Sequence, residues 1–496
     1  MKDHYKLISL LAGPLIFLVL QGPENPEGLP APAWDVLCVT LWMALWWVTE
    51  VVPIAVTALL PIALFPLTGA LEIGTVTNAY GDKYIFLYLG GFLLAIAIEK
   101  WNLHRRIALS VIMLIGTNMK LILLGFMVAT AFLSMWISNT ATSVMMLPIG
   151  TAMLGELQEN PDTFKNNHSV FGKALMLGIA YSASIGGIAT LIGTPPNLVL
   201  AGIMEKMFGI EISFLEWLKI GLPVSLLLLF ICWKYLTGFA FDFKDIKVPG
   251  EKKELASMLR DLGRMGREEK IVLIVFAVTA LAWITRSFLL DSLIPNIDDT
   301  IIAMGAGILL FVLPAGEKGS RLLNWEDTVR IPWGIIILFG GGMALAKAFE
   351  VSGLAIWIGE QLTSLENLPF FLLILVLVAA VNFLTEVTSN LATTAMLLPI
   401  LAPMAVALGI HPYFLLVAAT LAASCAFMLP VATPPNAVVF GSGHLNIPDM
   451  VKAGIFMNII SILLISLIIY YVLPVIWDIR MDEIPHLITS HQSYPH

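Results

Sequence analysis

Apolar residues in this chain gather into long runs, not into the ten-residue polar-in, apolar-out alternation of an outer-membrane barrel, which excludes that architecture. Runs such as Ile271–Leu290 and Ile455–Val475 hold about 20 residues each, enough to cross about 30 Å of hydrocarbon as helices. The pattern predicts spans near 7–21, 34–50, 53–69, 84–99, 174–204, 217–240, 271–290, 300–313, 333–349, 412–442 and 453–476. Two further apolar stretches, 121–155 and 368–407, are interrupted by polar residues in the middle. The expected fold is an all-α integral membrane protein of eleven transmembrane helices plus two re-entrant hairpins.

Composition supports that reading. Of 496 residues, 58% are hydrophobic and 12% charged, about half the charged share of a water-soluble domain, which rules out a soluble globular enzyme. A net charge of −8 supplies no basic field for nucleic acid, so no such partner is expected. Cys38, Cys232 and Cys425 lie within apolar segments and form neither a disulfide framework nor a zinc spacing.

Lys2 and Lys6 precede the apolar stretch Leu7–Leu20, a pattern shared by signal peptides and first helices. Ala31-Pro32-Ala33 is a poor cleavage site, so an uncleaved helix is expected. With the N-terminus cytoplasmic and both interrupted stretches returning to the side they enter from, twenty Lys and Arg fall inside. Only Lys83, Lys206, Lys219 and Arg480 fall outside. Were either stretch to cross, the basic 244–270 loop or Lys318–Arg330 would move outward. This balance predicts re-entrant hairpins, an external C-terminus, a bacterial inner (plasma) membrane location and a cytoplasmic linker at 241–270 with a surface helix.

The chain also repeats itself. At an offset of 251, Gly90-Gly91 aligns with Gly341-Gly342, Glu99 with Glu350, Ser138-Asn139 with Ser389-Asn390, and Leu147-Pro148 with Leu398-Pro399. At 239, Thr194-Pro195-Pro196-Asn197 aligns with Thr433-Pro434-Pro435-Asn436. Corresponding spans are separated by an odd number of crossings, so the halves are inverted. Inverted repeats with interrupted helices in matching positions point to a secondary transporter with a midplane site.

The hairpin tips carry Ser134, Ser138 and Asn139 in one copy and Thr385, Ser389 and Asn390 in the other. Residues four apart share a helix face, which stacks two hydroxyls beside an amide. Hydroxyl, amide and main-chain oxygens suit an alkali cation better than a transition metal. A lone Ser or Thr would merely bond its own helical turn; the repetition on two interrupted helices favours the ligand reading. The Thr-Pro-Pro-Asn motifs must break their helices, leaving carbonyls for a cation and a partly positive N-terminus for an anion. Pro53, Pro61 and Pro66 read as simple kinks. No Arg or Lys lies near these motifs. The one nearby acid, Glu386, reads as a proton-coupling group, a partner of Lys347, or a group on the hairpin's wet side. His411 and His444 are expected to face solvent, and Trp42, Trp46 and Trp47 to form an interface belt.

At these residues the chain resembles the divalent anion:sodium symporter family, the INDY-type dicarboxylate transporters, through the two Ser-Asn tips, both Thr-Pro-Pro-Asn breaks and the run Ser424–Val439. The resemblance extends from about residue 33 to 476. It implies a homodimer and an elevator motion of a transport domain against a scaffold. It also implies one sodium site at Ser134, Ser138, Asn139 and Gly193, and a second at Thr385, Thr388, Asn390 and Ala432. Substrate carboxylates would meet Asn139, Thr140, Thr194, Pro195, Ser389, Asn390, Thr433 and Pro434. One departure stands out: the Ser-Asn-Thr motif is complete at Ser138-Asn139-Thr140, whereas the second copy has Leu391 third, with Thr393 the candidate to compensate.

The expected organisation is scaffold at 1–120, first hairpin and broken helix at 121–205, scaffold with linker at 206–350, second hairpin and broken helix at 351–442, and last helix with external tail at 443–496. The expected activity is sodium-coupled symport of C4-dicarboxylates such as succinate, malate and fumarate, with sodium, the dianion and the lipid bilayer as partners. A citrate, sulfate or other oxyanion carrier, a dicarboxylate exchanger and a sodium/proton antiporter are the alternatives within transport. A membrane enzyme lacks support, because H-E-x-x-H, G-x-S-x-G and paired intramembrane aspartates are all missing.

Overall fold

The computed structural model describes residues 2–22, 25–116, 118–159, 165–241, 251–316, 319–361, 369–483 and 485. Among them the chain is helical, and its one β-bridge, between Pro314 and Arg321, belongs to no strand. Eight helices within the described residues are long and apolar enough to cross a membrane, including Phe214–Ala240, Arg267–Phe288, Trp333–Ser352 and Ile447–Ile476. The predicted surface helix is present as Glu251–Asp261. Lys244, Lys247 and Lys318, which entered the charge balance, lie outside the described residues.

Several expectations need correcting. The span at 53–69 is two helices, Ile54–Thr57 and Leu60–Thr68. Pro53 precedes the first and Pro61 opens the second, positions where a missing N–H costs nothing, and only Pro66 sits inside a helix. Leu103–Ile115 is an additional helix whose Arg105 and Arg106 hid it from a search for apolar runs. Trp47 is buried and donates to the Ile54 carbonyl at 3.1 Å, while Trp42 packs on Phe17 and Trp46; these rings bind helices together instead of forming a belt. His411 is buried as a cap, its Nδ1 accepting from Tyr413 N at 3.2 Å.

The centre of the molecule is built on the helices that lead into the two breaks, Lys165–Ile188 and Pro412–Ala423, which are buried on every described side. The arms Met119–Ser134 and Asn139–Glu159 pack on the first; Phe370–Leu384 and Asn390–Ala407 pack on the second. Beyond the breaks the halves interlock. Pro195–Phe208 packs on Asn390–Ala407, and Pro434–Phe440 packs on Asn139–Glu159. Lys100 Nζ lies 2.7 Å from Asp327 Oδ2, so the end of Lys83–Lys100 meets the start of its repeat equivalent, Trp333–Ser352. The equivalent helices therefore run in opposite directions.

Close helix packing depends on small residues where backbones nearly touch. A Cβ on Gly186 would sit 2.6 Å from the Ala131 Cα, so nothing larger than glycine fits between the first hairpin and the helix it packs on. Gly186→Ala should therefore cost about 1–3 kcal/mol through overpacking and lower the melting temperature of the purified protein. Gly305→Ala, in a helix where a Cβ meets nothing within 4 Å, should be neutral or slightly stabilising. Equal melting temperatures for the two variants would contradict the packing described.

Candidate functional site

The first hairpin turns over four residues, Met135–Ser138, and the second over five, Thr385–Ser389, and each sets a hydroxyl against an amide. Ser134, the last residue of its arm, has Oγ 2.6 Å from Asn139 Oδ1 and 2.7 Å from the Ala183 carbonyl. In the second copy Thr385 Oγ1 lies 2.8 Å from Asn390 Oδ1 and 2.9 Å from the Ala423 carbonyl. Both hydroxyls are fully buried. A hydroxyl has one proton, so in each copy three oxygens share one hydrogen, and one acceptor at a time faces an oxygen lone pair. Such a spot favours a cation. It is further built by Gly187, where a Cβ would sit 2.5 Å from Asn139 Oδ1, and by Gly193, where a Cβ would sit 2.5 Å from the Gly187 carbonyl. These contacts bring Ser134, Asn139 and Gly193 together. Ala432 occupies the position equivalent to Gly193 beside the second break.

The breaks differ in length. The first helix ends at Ile188 and resumes at Pro195; the second ends at Ala423 and resumes at Pro434. The asparagines that close the motifs pin the unwound backbone in both. Asn197 Nδ2 donates to the Thr190 carbonyl at 2.7 Å, and Asn436 Nδ2 to the equivalent Leu429 carbonyl at 3.0 Å. Trp217 Nε1 takes the Ile188 carbonyl at 2.9 Å. The break carbonyls are thus partly consumed inside the protein.

Four helix starts converge on one cavity of about 570 Å³. Its lining holds the first residues of each: Ser138, Asn139 and Thr140; Thr194, Pro195 and Pro196; Ser389, Asn390 and Leu391; Thr433, Pro434 and Pro435, with Gly193 and Ala432 beside them. Thr433 Oγ1 is used as a cap by Asn436 N at 3.3 Å, whereas Thr194 makes no side-chain cap bond. Free N–H groups and aligned peptide dipoles at helix starts favour an anion. Opposite them stand Glu50, Ile54, Tyr88 and Ile335. Among the described residues Glu50 is the one charged member of the lining, and its backbone is left-handed at φ 46°. A volume of this order holds a small organic anion with room to spare.

Three predicted residues lie behind the lining, not in it: Ser134, Thr385 and Thr388. Thr388 Oγ1 donates to the Leu384 carbonyl at 2.9 Å and pairs with Thr393 Oγ1 at 2.6 Å. Thr393 is therefore committed to Thr388 and buried, and the wall beside Leu391 stays apolar. Glu386 does not pair with Lys347, which instead meets Glu350 at 2.7 Å. It turns into the second break with Asn382 and Asn458, residues whose role no motif in the sequence signalled.

The family model described as the sodium:sulfate symporter transmembrane region matches residues 1–477. SdcS of Staphylococcus aureus strain USA300, named a sodium-dependent dicarboxylate transporter, is 48% identical over 484 residues, spanning 96% of this chain and 93% of that one. SdcS of the bovine strain RF122 / ET3-1 matches at the same identity and coverage. Among solved structures, the YdaH transporter of Alcanivorax borkumensis superposes with a TM-score of 0.59 at 13% identity, over 89% of this chain and 98% of that one. MtrF of Neisseria gonorrhoeae gives 0.57 at 13%, over 90% and 96%. At such identity the likeness concerns the fold alone. The match over nearly the whole chain, with 48% identity to SdcS, makes this protein a member of the sodium:sulfate symporter family, the divalent anion:sodium symporter group that its paired motifs resemble.

Proposed function

We propose that the chain is a secondary active transporter that couples sodium to symport of C4-dicarboxylates, succinate, malate and fumarate, across the bacterial plasma membrane. The observation that carries this is the doubled triad of hydroxyl, amide and carbonyl with a single proton, set behind a cavity ringed by helix starts. The name of the Staphylococcus relative supports the substrate class. One sodium sits with Ser134, Ser138, Asn139 and Gly193, the other with Thr385, Asn390 and Ala432, with Thr388 held in place by Thr393. The substrate carboxylates meet Asn139, Thr140, Thr194, Pro195, Ser389, Asn390, Thr433 and Pro434. Among the described residues no Lys or Arg lines the cavity, so the dianion is balanced by the co-bound cations and helix dipoles.

In this reading, eleven spans and two re-entrant hairpins form a homodimer. Residues 121–205 and 351–442 move as a transport domain against the rest, with the N-terminus cytoplasmic and the C-terminus outside. Ile335 lines the cavity at the start of its helix, near Lys100. The opposite end of Lys83–Lys100 carries two ion pairs to the helix after the first break, Lys83 to Glu205 at 2.8 Å and Asp82 to Lys206 at 3.1 Å. Of these only Lys83–Glu205 joins the moving residues to the rest, so an elevator movement breaks that pair, and the pair biases the protein toward the present position, which in this reading faces the cytoplasm.

Labelled succinate should enter proteoliposomes when a sodium gradient is imposed and stay out when potassium replaces sodium; equal uptake in both would overturn the symport reading. Asn139→Ala and Asn390→Ala should each reduce that uptake to background while the protein elutes and melts as a folded species, because each amide serves a cation and a carboxylate together. Glu205→Gln, which removes the pair to Lys83, should raise labelling of Val431→Cys by an external membrane-impermeant maleimide several-fold. The native cysteines are all buried, which keeps the background low. Unchanged labelling would remove the ion pair from the account of motion.

A further inference from the structure

Glu386 is a fully buried carboxylate, 3% exposed, whose described partners include no cationic side chain. Its Oε1 accepts from Phe427 N at 2.7 Å, Met428 N at 2.9 Å and Asn458 Nδ2 at 2.8 Å, and its Oε2 accepts from Leu429 N at 3.0 Å. Asn458 Oδ1 in turn lies 3.3 Å from Phe427 N. Asn382, one helical turn before Glu386, takes the Cys425 carbonyl at 2.6 Å. The three consecutive N–H groups belong to the unwound stretch between Pro412–Ala423 and Pro434–Phe440.

Comparison of the two halves shows why the carboxylate is needed. At the offset of 239, Ile188 corresponds to Phe427, yet the first helix runs on to Ile188 while the second stops at Ala423. The second copy has therefore unwound about one extra turn. Ile188, the counterpart of Phe427, lies within the first helix, and Ala189, the counterpart of Met428, still donates to the Gly186 carbonyl at 3.0 Å; in the second copy both N–H groups turn to Glu386, inside the protein where unpaired donors are costly. The residue matching Glu386 in the first copy is Met135, which has nothing to offer them. A carboxylate has two oxygens with about four acceptor positions and can take several donors in a row, as an amide or hydroxyl cannot. Gly454 permits the approach of the last long helix, since a Cβ there would sit 2.5 Å from the Met428 Cα.

We propose that Glu386, with Asn458, is a positioning residue for the second sodium site: it fixes the extra unwound turn so that the backbone up to Ala432 and Thr433 presents its carbonyls to the cation. This rests on the symport reading above and makes the two sodium sites unequal. The first is held by helix geometry and glycine packing, the second by a buried charge. Glu386 acts through the backbone and touches neither ion nor substrate.

The test is the sodium dependence of succinate uptake in proteoliposomes for wild type, Glu386→Gln, Glu386→Asp and Met135→Leu. Glu386→Gln keeps the shape but puts an amide donor against backbone donors. It should raise the sodium concentration for half-maximal uptake about tenfold or more, a loss of the size expected for one bond to a charged group. At saturating sodium the KM for succinate and the maximal rate should stay within about twofold, and the pH profile should match wild type. Glu386→Asp should fall between the two, and Met135→Leu should leave the sodium curve unmoved. A maximal rate that falls with no change in sodium requirement would overturn the proposal, as would a flattened pH profile, which would make Glu386 a proton carrier. If the Gln variant does not fold, Asn458→Ala, which keeps the carboxylate and removes one donor, is read by the same criteria with a shift of about twofold or more. Sodium-independent uptake by wild type would instead sink the symport reading itself, an outcome visible before any variant is compared.

Discussion

One hydroxyl proton cannot serve two acceptors at once, and each half of this chain places a buried hydroxyl between two of them. Ser134 faces Asn139 and the Ala183 carbonyl; Thr385 faces Asn390 and the Ala423 carbonyl. Left alone, each triad has an oxygen pair without a hydrogen, which is unfavourable in a dry interior. A small cation resolves both deficits. Much of the architecture serves to hold those oxygens together: the short hairpin turns, glycine at Gly186 and Gly187 where arm and helix touch, and the asparagines that pin each break.

The anion side of the cavity follows from the cation side. Helix starts at Asn139 and Asn390 offer N–H groups and dipoles, and those at Pro195 and Pro434, which open with prolines, offer dipoles, but none supplies a full positive charge, and the one charged lining residue among those described, Glu50, is negative. A dianion entering alone would lose its hydration against partial charges only. We infer that the cations bind first, a consequence of what the cavity lacks. The interlock of the halves makes this one site instead of two. Each half-helix beyond a break leans on the other repeat's hairpin, so the two proposed cation positions and the proposed anion position share walls.

Much of this was legible in the sequence because the repeat prints its chemistry twice. Ser138-Asn139 and Ser389-Asn390, and both Thr-Pro-Pro-Asn motifs, stand at fixed offsets, and hydropathy alone located nearly every long helix. What escaped has a common physical cause, namely partners distant in sequence. Glu386 finds backbone N–H groups about forty residues on, and Thr393 is claimed by Thr388 before it can reach the cavity. Trp47 and His411 are types usually met at boundaries, yet neighbouring helices cover them. Leu103–Ile115 was missed because its charged face breaks the apolar run on which a span search depends.

The claim that cation sites precede and enable anion binding is tested most directly by titrating the purified protein with succinate in a calorimeter, in sodium and in choline. The account predicts a saturable isotherm in sodium, and at least a hundredfold weaker or undetectable binding in choline. An equal succinate affinity in the two buffers would contradict it.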